Sequence, residues 1–197
     1  MTQITRYSED DASTFNAALV SLETLYNTIG NVIGTIDQGS LTIDSPEINI
    51  IVPAGYRWLQ LEVNTYTTYT GADNETANLR LNDDASALYA VVGYYAHGVP
   101  VYQRTGRTQW EAVVATAGGI AQFGTTQFTI MPMSSEIVML GRSFLKATVS
   151  GGTNGLFAFR SFGRYTGSGG ITSMRFYPST SSKFISGTYW RLRGVLS

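Results

Sequence analysis

The chain has 197 residues, of which 43% are hydrophobic and 14% are charged, and its net charge at pH 7 is −1. This composition excludes intrinsic disorder and fits one β-rich domain with a short appendage. Because the chain has no cysteine, a disulfide framework and a thiolate zinc site are also excluded.

The first segment carries the only convincing helical pattern. Its apolar residues recur at alternating spacings of four and three, which is the pattern of a coiled-coil seam. These residues are Phe15, Leu19, Leu22, Tyr26, Ile29, Ile33 and Ile36. We predict that residues 1–40 form a helical docking and oligomerisation segment, and isoleucine at both kinds of seam position favours three or more chains. The alternative is one amphipathic helix that packs against its own β-domain.

Helix signals change along this segment. The acids at 9–11 and Ser13 suit a helix N-terminus, whereas Gly30 and Gly34 weaken the last turns, so the helix can end near Ile29. The N-terminus has no apolar stretch of the secretory kind, and no later run approaches the roughly 20 apolar residues of a membrane span. We therefore expect a protein that is made in a cytoplasm and does not insert into membranes.

From residue 41 the pattern changes to short runs with a period of two. In YRWLQLEV, for example, the apolar residues Tyr56, Trp58, Leu59, Leu61 and Val63 alternate well enough with polar ones to give one buried face. About eight or nine such runs, separated by turn signals, predict a mainly β fold over residues 41–197, an antiparallel β-sandwich of jelly-roll type. Thr153-Asn154-Gly155 is the clearest hairpin signal.

The stretch LRLNDDASALY places Asn82, Asp83 and Asp84 between two apolar runs. Oxygen ligands of this kind could bind Ca²⁺, and two carboxylates could act as an acid and a base, but the EF-hand spacing is missing. Asn and Asp are also favoured in tight turns, so we predict a hairpin turn. Whether the loop also binds Ca²⁺ or meets a partner's arginine stays open.

Other catalytic and metal patterns are missing from the sequence. His97 is the single histidine, there is no G-x-S-x-G elbow and no H-E-x-x-H motif, and the glycine-rich TGSGGITS lacks the ending of a phosphate loop. We expect a protein that is not an enzyme and that needs neither a metal nor another cofactor.

Aromatic residues near predicted turns form a candidate binding surface for a receptor or a sugar ring, and core packing or subunit contacts are the alternative uses of these residues. This candidate surface comprises Tyr66, Tyr69, Tyr94, Tyr95, His97 and Tyr102.

The charges are unevenly distributed along the chain. Up to Glu136 there are 14 acidic and five basic residues, a net charge of −9, whereas the remainder has eight basic residues and no acid. The first interpretation is a basic face for nucleic acid, an acidic glycan or an acidic neighbouring subunit. The second is that strands from both halves interleave and mix the charges. Alternating aromatics in the basic half could stack nucleic-acid bases, but on strands they favour a core, so we expect no nucleic acid.

Three segments resemble parts of tailed-bacteriophage structural proteins. LRLNDDASALY is similar to their pattern of an apolar strand, an Asn, a short Asp-containing turn and a Tyr that opens the next strand, and INIIVPAGYRWLQLEV resembles their first hairpin. The end, ITSMRFYPSTSSKFISGTYWRLRGV, is similar to their last strands. There the matching positions are Ile171, Ser173, Met174, Phe184, Gly187, Thr188, Leu192 and Gly194. Asp83 and Leu88 depart from the family's usual Gly and Asn.

This resemblance implies a noncatalytic virion protein that is assembled in the host cytoplasm. It implies a trimeric β-sandwich on a tail tip, tail fibre or capsid surface, which binds other virion proteins through its N-terminal segment and can bind a host glycan or receptor. A capsid decoration protein and a lectin-like carbohydrate-binding module are the alternatives. A glycan-degrading enzyme would have to use Asp83 and Asp84, the only carboxylate pair that spacing suggests.

Overall fold

The computed structural model describes residues 33–69, 75–95, 100–114, 124–149, 153–167 and 169–196, and in these residues the regular structure is entirely β. The prediction of a mainly β fold is confirmed, whereas the predicted helix up to residue 32 lies outside the described residues. The strands are β1 (Ile33–Ser40), β2 (Ile48–Ile51), β3 (Tyr56–Thr65), β4 (Glu75–Leu81), β5 (Tyr89–Tyr95), β6 (Pro100–Arg107), β7 (Trp110–Val114), β8 (Gly124–Pro132), β9 (Ile137–Val149), β10 (Thr153–Tyr165), β11 (Ser173–Pro178) and β12 (Tyr189–Leu196).

The strands form two antiparallel sheets. The larger sheet has eight strands in the order β1-β12-β3-β8-β9-β10-β5-β6, and the smaller has four in the order β2-β11-β4-β7. Among these strands, β5–β6, β8–β9 and β9–β10 are sequential neighbours in one sheet, and each of the other connections leads from one sheet to the other. Strands from the acidic first part of the chain, β1–β8, and from the basic second part, β9–β12, are therefore interleaved in both sheets.

The core lies between the two sheets, and residues Thr35–Ser197 form one compact unit around it. Trp110 of β7 meets Phe128 of β8 edge to face, with ring centroids 5.6 Å apart. Phe128 contacts Phe176 of β11 in the same manner at 5.7 Å, and Phe176 stacks on Phe184 at 5.2 Å. All four side chains are fully buried, and each stabilises the fold by roughly 2–3 kcal/mol through the apolar surface it removes from water.

Residues 33–40 are a strand, which corrects the helical prediction for Ile33 and Ile36. The β-branched residues and Gly34 favour an extended chain, and the edge of β12 offers it backbone partners. Ile36 packs against the core, and the Trp190 indole donates a hydrogen bond to Asp37 Oδ2 at 3.1 Å. Whether these two isoleucines contact another copy stays a prediction.

Two predicted hairpins are wrong for the same reason. At Asn82 and Asp83 the chain makes a two-residue turn with φ of 56° and 51°, closed by the Asp84 amide donating to the Leu81 carbonyl at 3.0 Å. However, β4 and β5 lie in different sheets, as do β2 and β3, so each connection crosses between the sheets.

The third predicted hairpin is confirmed only in part, because β9 and β10 pair but the turn is not where Asn154-Gly155 predicts it. Thr153 stands opposite Val149, so Asn154 and Gly155 lie inside β10, opposite Thr148 and Ala147. The two strands remain paired from there to the opposite end, where Tyr165 stands opposite Ile137. With 13 residues each, they are the longest strands in the described structure.

Candidate functional site

The predicted tyrosine surface falls into two groups. Tyr94 and Tyr95 lie on β5 and Tyr102 on the neighbouring β6, with side chains outside the described part of the structure, as is His97. Tyr66 and Tyr69 follow β3, which is four strand positions from β5 in the sheet, about 19 Å at roughly 4.8 Å per strand. A platform that combines both groups is therefore too wide for a single sugar ring.

The side-chain oxygens of the turn at Asn82–Asp84 are engaged in the fold. Asn82 Oδ1 accepts hydrogen bonds from the Thr172 amide at 2.7 Å and from the Ser173 amide at 3.3 Å. Asp84 Oδ2 accepts from the Tyr165 hydroxyl at 2.6 Å, and its Oδ1 accepts from the Ser86 amide at 2.8 Å. These hydrogen bonds hold the connection from β4 to β5, where the chain passes from the smaller sheet to the larger one, in place.

The same bonds perturb both ionisable partners. The hydrogen bond from Tyr165 holds the pKa of Asp84 below its ordinary value, and burial together with that carboxylate raises the pKa of Tyr165 to about 12. Tyr89 lies beside Tyr165, with ring centroids 4.7 Å apart, and burial raises its pKa as well. At neutral pH this is an ionised carboxylate held by a neutral phenol, an arrangement that supports structure.

Asp83 meets arginines of its own chain on the outer face of the smaller sheet. Arg175 Nη1 lies 3.1 Å from Asp83 Oδ1, and its Nε donates to Glu47 Oε2 at 2.6 Å. The guanidinium groups of Arg80 and Arg175 also lie over the Tyr177 ring, at 5.3 and 5.2 Å from its centroid. Within the described residues, no group of three or more acids or histidines is arranged to hold a metal ion.

The outer face of the larger sheet has a different character. Over residues 137–144 of β9 and 158–165 of β10, every second side chain points away from the core, and we call the resulting surface the arginine face. It comprises Arg142, Phe144, Arg160, Phe162 and Arg164, with both phenylalanines strongly exposed at 57% and 49%. Exposed aromatic rings beside arginines are typical of binding surfaces.

The residues that alternate with the arginine face on β9 and β10 are small and point into the core, which lets these strands pack closely against it. Gly141, Ser143 and Ser161 point inward and are buried, and the Trp110 indole nitrogen donates to Ser161 Oγ at 3.0 Å. A Cβ on Gly141 would collide with the Ser161 hydroxyl and lie 3.5 Å from the Trp110 ring. These small residues thus leave room for the Trp110 side chain, which packs against the inner side of β9 and β10, opposite the arginine face.

The centre of the arginine face is a pair of like charges. Arg160 stands directly opposite Arg142 in the β9–β10 register, and both are exposed. Among the residues that the structure describes, no carboxylate forms an ion pair with either. Directly opposite like charges destabilise a pair of strands, so stability alone does not account for this arrangement.

The polar row continues across the sheet. In register from β12 to β10, the outward residues are Arg191, Glu62, Gln127, Arg142 and Arg160. Arg191 is paired with Glu62 at 3.2 Å, and elsewhere on the face Arg164 lies 3.6 Å from Glu136. Some basic residues therefore pair with acids of the first half, as the second interpretation predicts. Arg142 and Arg160 form a basic centre, and binding of an acidic partner there stays a prediction.

A shallow apolar groove of about 350 Å³ borders the face on the side of β5. Its lining combines the apolar side chains of Ala90, Val92, Val138 and Phe162 with the charged side chains of Arg104, Glu136 and Arg164. The exposed ring of Phe162 thus stands between the arginine pair and an apolar recess, so one ligand could use charged and apolar contacts together.

The arginine face was not among the residues singled out from the sequence, although a signal exists. Arg142, Phe144 and Lys146 alternate in GRSFLKATV, as do Arg160, Phe162 and Arg164 in AFRSFGRY. The prediction that alternating aromatic residues lie in the core is right for Phe159, Tyr165 and Phe176 but wrong for Phe162. Aromatics in phase with arginines, and out of phase with small residues, indicate the outer face.

The chain matches no protein-family model, and no curated protein is significantly similar to it. In the described residues no helix is long and apolar enough to cross a membrane. Hypotheses about function therefore depend on the fold and on the surfaces of this chain.

Proposed function

We propose that this chain is a noncatalytic virion protein of a tailed bacteriophage, a surface-exposed attachment component. The observation that carries this proposal is the strand order. Without the β9–β10 hairpin, β3-β8-β5-β6 faces β2-β11-β4-β7, and the only sequential neighbours in one sheet are β5 and β6. This is the connectivity of a jelly roll, an architecture of viral capsid and lectin domains, and β1 and β12 extend its larger sheet.

The hydrogen bonds of the Asn82–Asp84 turn support a noncatalytic role. Asp84 accepts a hydrogen bond from Tyr165, and Asp83 forms an ion pair with Arg175, so both carboxylates of the candidate acid/base pair have partners within the fold. The exposed aromatics and the basic centre on the larger sheet instead favour binding as the task of this surface.

The test is to locate the protein on the virus particles whose genome encodes this sequence. An antibody raised against residues 33–196 should label purified particles at the tail tip or tail fibres in negative-stain micrographs. Labelling of the head lattice would replace attachment by capsid decoration. A protein found in infected-cell lysates and never on particles would overturn the virion proposal.

A further inference from the structure

We propose that the arginine face binds an acidic polysaccharide, a glycan whose sugar units carry carboxylates. This inference rests on the proposed attachment function and names the ligand class of its binding surface. Arg142 and Arg160 hold a carboxylate between them, while the Phe162 ring and the adjacent groove receive the apolar face of a sugar ring.

The arginine pair is suited to a carboxylate because of its position. Directly opposite residues on paired strands have Cβ atoms about 5 Å apart, so two guanidinium groups can converge on one anion. Guanidinium forks match the geometry of carboxylates, and an anion between them removes the repulsion that the unbound protein bears. A bound carboxylate therefore supplies the opposite charge that the described fold does not place there.

The apolar part of the surface distinguishes a sugar from a simple anion. Phe162 is half exposed and stands opposite Leu140 and Val92, both partly buried, next to the groove of about 350 Å³. The C–H face of a sugar ring is apolar and packs against such a ring and recess. Gln127, opposite Arg142, adds an amide that can both donate to and accept from hydroxyl groups.

The distribution of charge favours a glycan over a nucleic acid. A nucleic-acid strand attracts an unbroken line of cations along its phosphates, whereas here the row runs Arg191, Glu62, Gln127, Arg142 and Arg160, and Glu136 lies on the same side. Isolated carboxylates separated by neutral hydroxyls fit this pattern better.

The decisive experiment measures binding of the full-length protein to immobilised polygalacturonate by biolayer interferometry, with dextran as the neutral polymer and oligo(dT) as the nucleic acid. Wild-type protein should bind polygalacturonate and neither of the others. The double change Arg142→Gln/Arg160→Gln should weaken binding by about tenfold or more. Arg57→Gln/Lys183→Gln removes the same charge from other exposed positions and should leave binding within about twofold.

An equal loss in both double variants would reduce the effect to general charge attraction and overturn the proposal. Stronger binding to oligo(dT), or no binding to polygalacturonate, would overturn it as well. None of these results bears on particle labelling, so the virion proposal can survive them, and a failure of labelling leaves the polysaccharide measurement intact.

A single reversal of charge separates binding from folding. Arg160→Glu should place a carboxylate opposite Arg142, so thermal unfolding should occur at the same or a higher temperature while polygalacturonate binding is lost. Phe162→Ala should also weaken binding, whereas Ile51→Ala, which shortens an exposed apolar side chain on the other sheet, should not. An Arg160→Glu protein that folds and still binds with wild-type affinity would contradict the proposed role of the pair.

Discussion

Tyr165 joins the end of β10 to the turn that carries the chain between the sheets. Its hydroxyl donates to Asp84 at 2.6 Å while its ring lies against Tyr89 in the core. Because the folded protein favours the ionised form of Asp84, this group stabilises the fold above its ordinary pKa of 3.8, and the stabilisation is lost as pH falls through the lower pKa of the folded state.

We therefore expect Tyr165→Phe to reduce the free energy of unfolding at pH 7 by more than it does at pH 2.5. The measurement is urea unfolding of both proteins at several pH values, in which the difference should shrink below about pH 4. Tyr189→Phe, at a half-buried position on β12, is the matched control and should show no such pH dependence. A difference that is constant down to pH 2.5 would contradict the coupling.

Asn82 shows what a single residue reveals before the structure is known. An Asn-Asp pair between apolar runs predicts a tight turn, and the positive φ angles of both residues confirm it. The prediction that this turn makes a hairpin fails because Asn82 bonds to the Thr172 and Ser173 amides, about 90 residues away in sequence. Local turn chemistry is encoded locally, whereas the partner of the preceding strand is decided by distant residues.

Among the elements, β9 depends on the absence of a side chain at Gly141. We expect Gly141→Ala to lower the free energy of unfolding by about 2 kcal/mol, because the added methyl group would displace Ser161 and with it the acceptor of the Trp110 indole. Chemical denaturation measures this directly. Gly170→Ala, where the added carbon has open space, should change stability by less than about 0.5 kcal/mol.

Period-two patterns predicted most of the strands because burial alternates along each of them, as in β3, where Leu59, Leu61 and Val63 are buried and their neighbours are not. The same patterns could not predict which strands pair, since any apolar face can cover another. They also missed β1, because the heptad spacing of Ile33 and Ile36 continues the seam of the preceding segment while their side chains equally suit a strand.

The arginine face could not be predicted from the sequence for a similar reason. Arg160 and Phe162 are readable in the sequence as neighbours on one face, but their apposition to Arg142 and Val92 depends on β9 and β5 flanking β10. Only the register makes two separate arginines into a pair. Sequence patterns therefore indicate which side chains share one face of a strand. The pairing and register of the strands decide which of these faces come together as a site.

At the scale of the whole molecule, the seam from Phe15 to Ile29 leads to a prediction about assembly. We expect the full chain to sediment as an oligomer, most simply a trimer, and a chain that begins at Ile33 to associate more weakly, because it lacks those seam residues. Analytical ultracentrifugation of both at several concentrations is the measurement. A full-length protein that remains monomeric at high micromolar concentration would remove the coiled-coil hypothesis while leaving the sandwich unaffected.

The β9–β10 hairpin stands between β8 and β5, two strands that would be adjacent in a jelly roll without it. Its inward residues share the common core, and it takes part in one crossing between the described sheets, the connection from β10 to β11. The surface proposed to meet a ligand thus lies on the outer side of a single hairpin, between strands that a jelly roll would place side by side. Substitutions on the outer side of this hairpin can therefore change which ligand the protein binds without changing its fold.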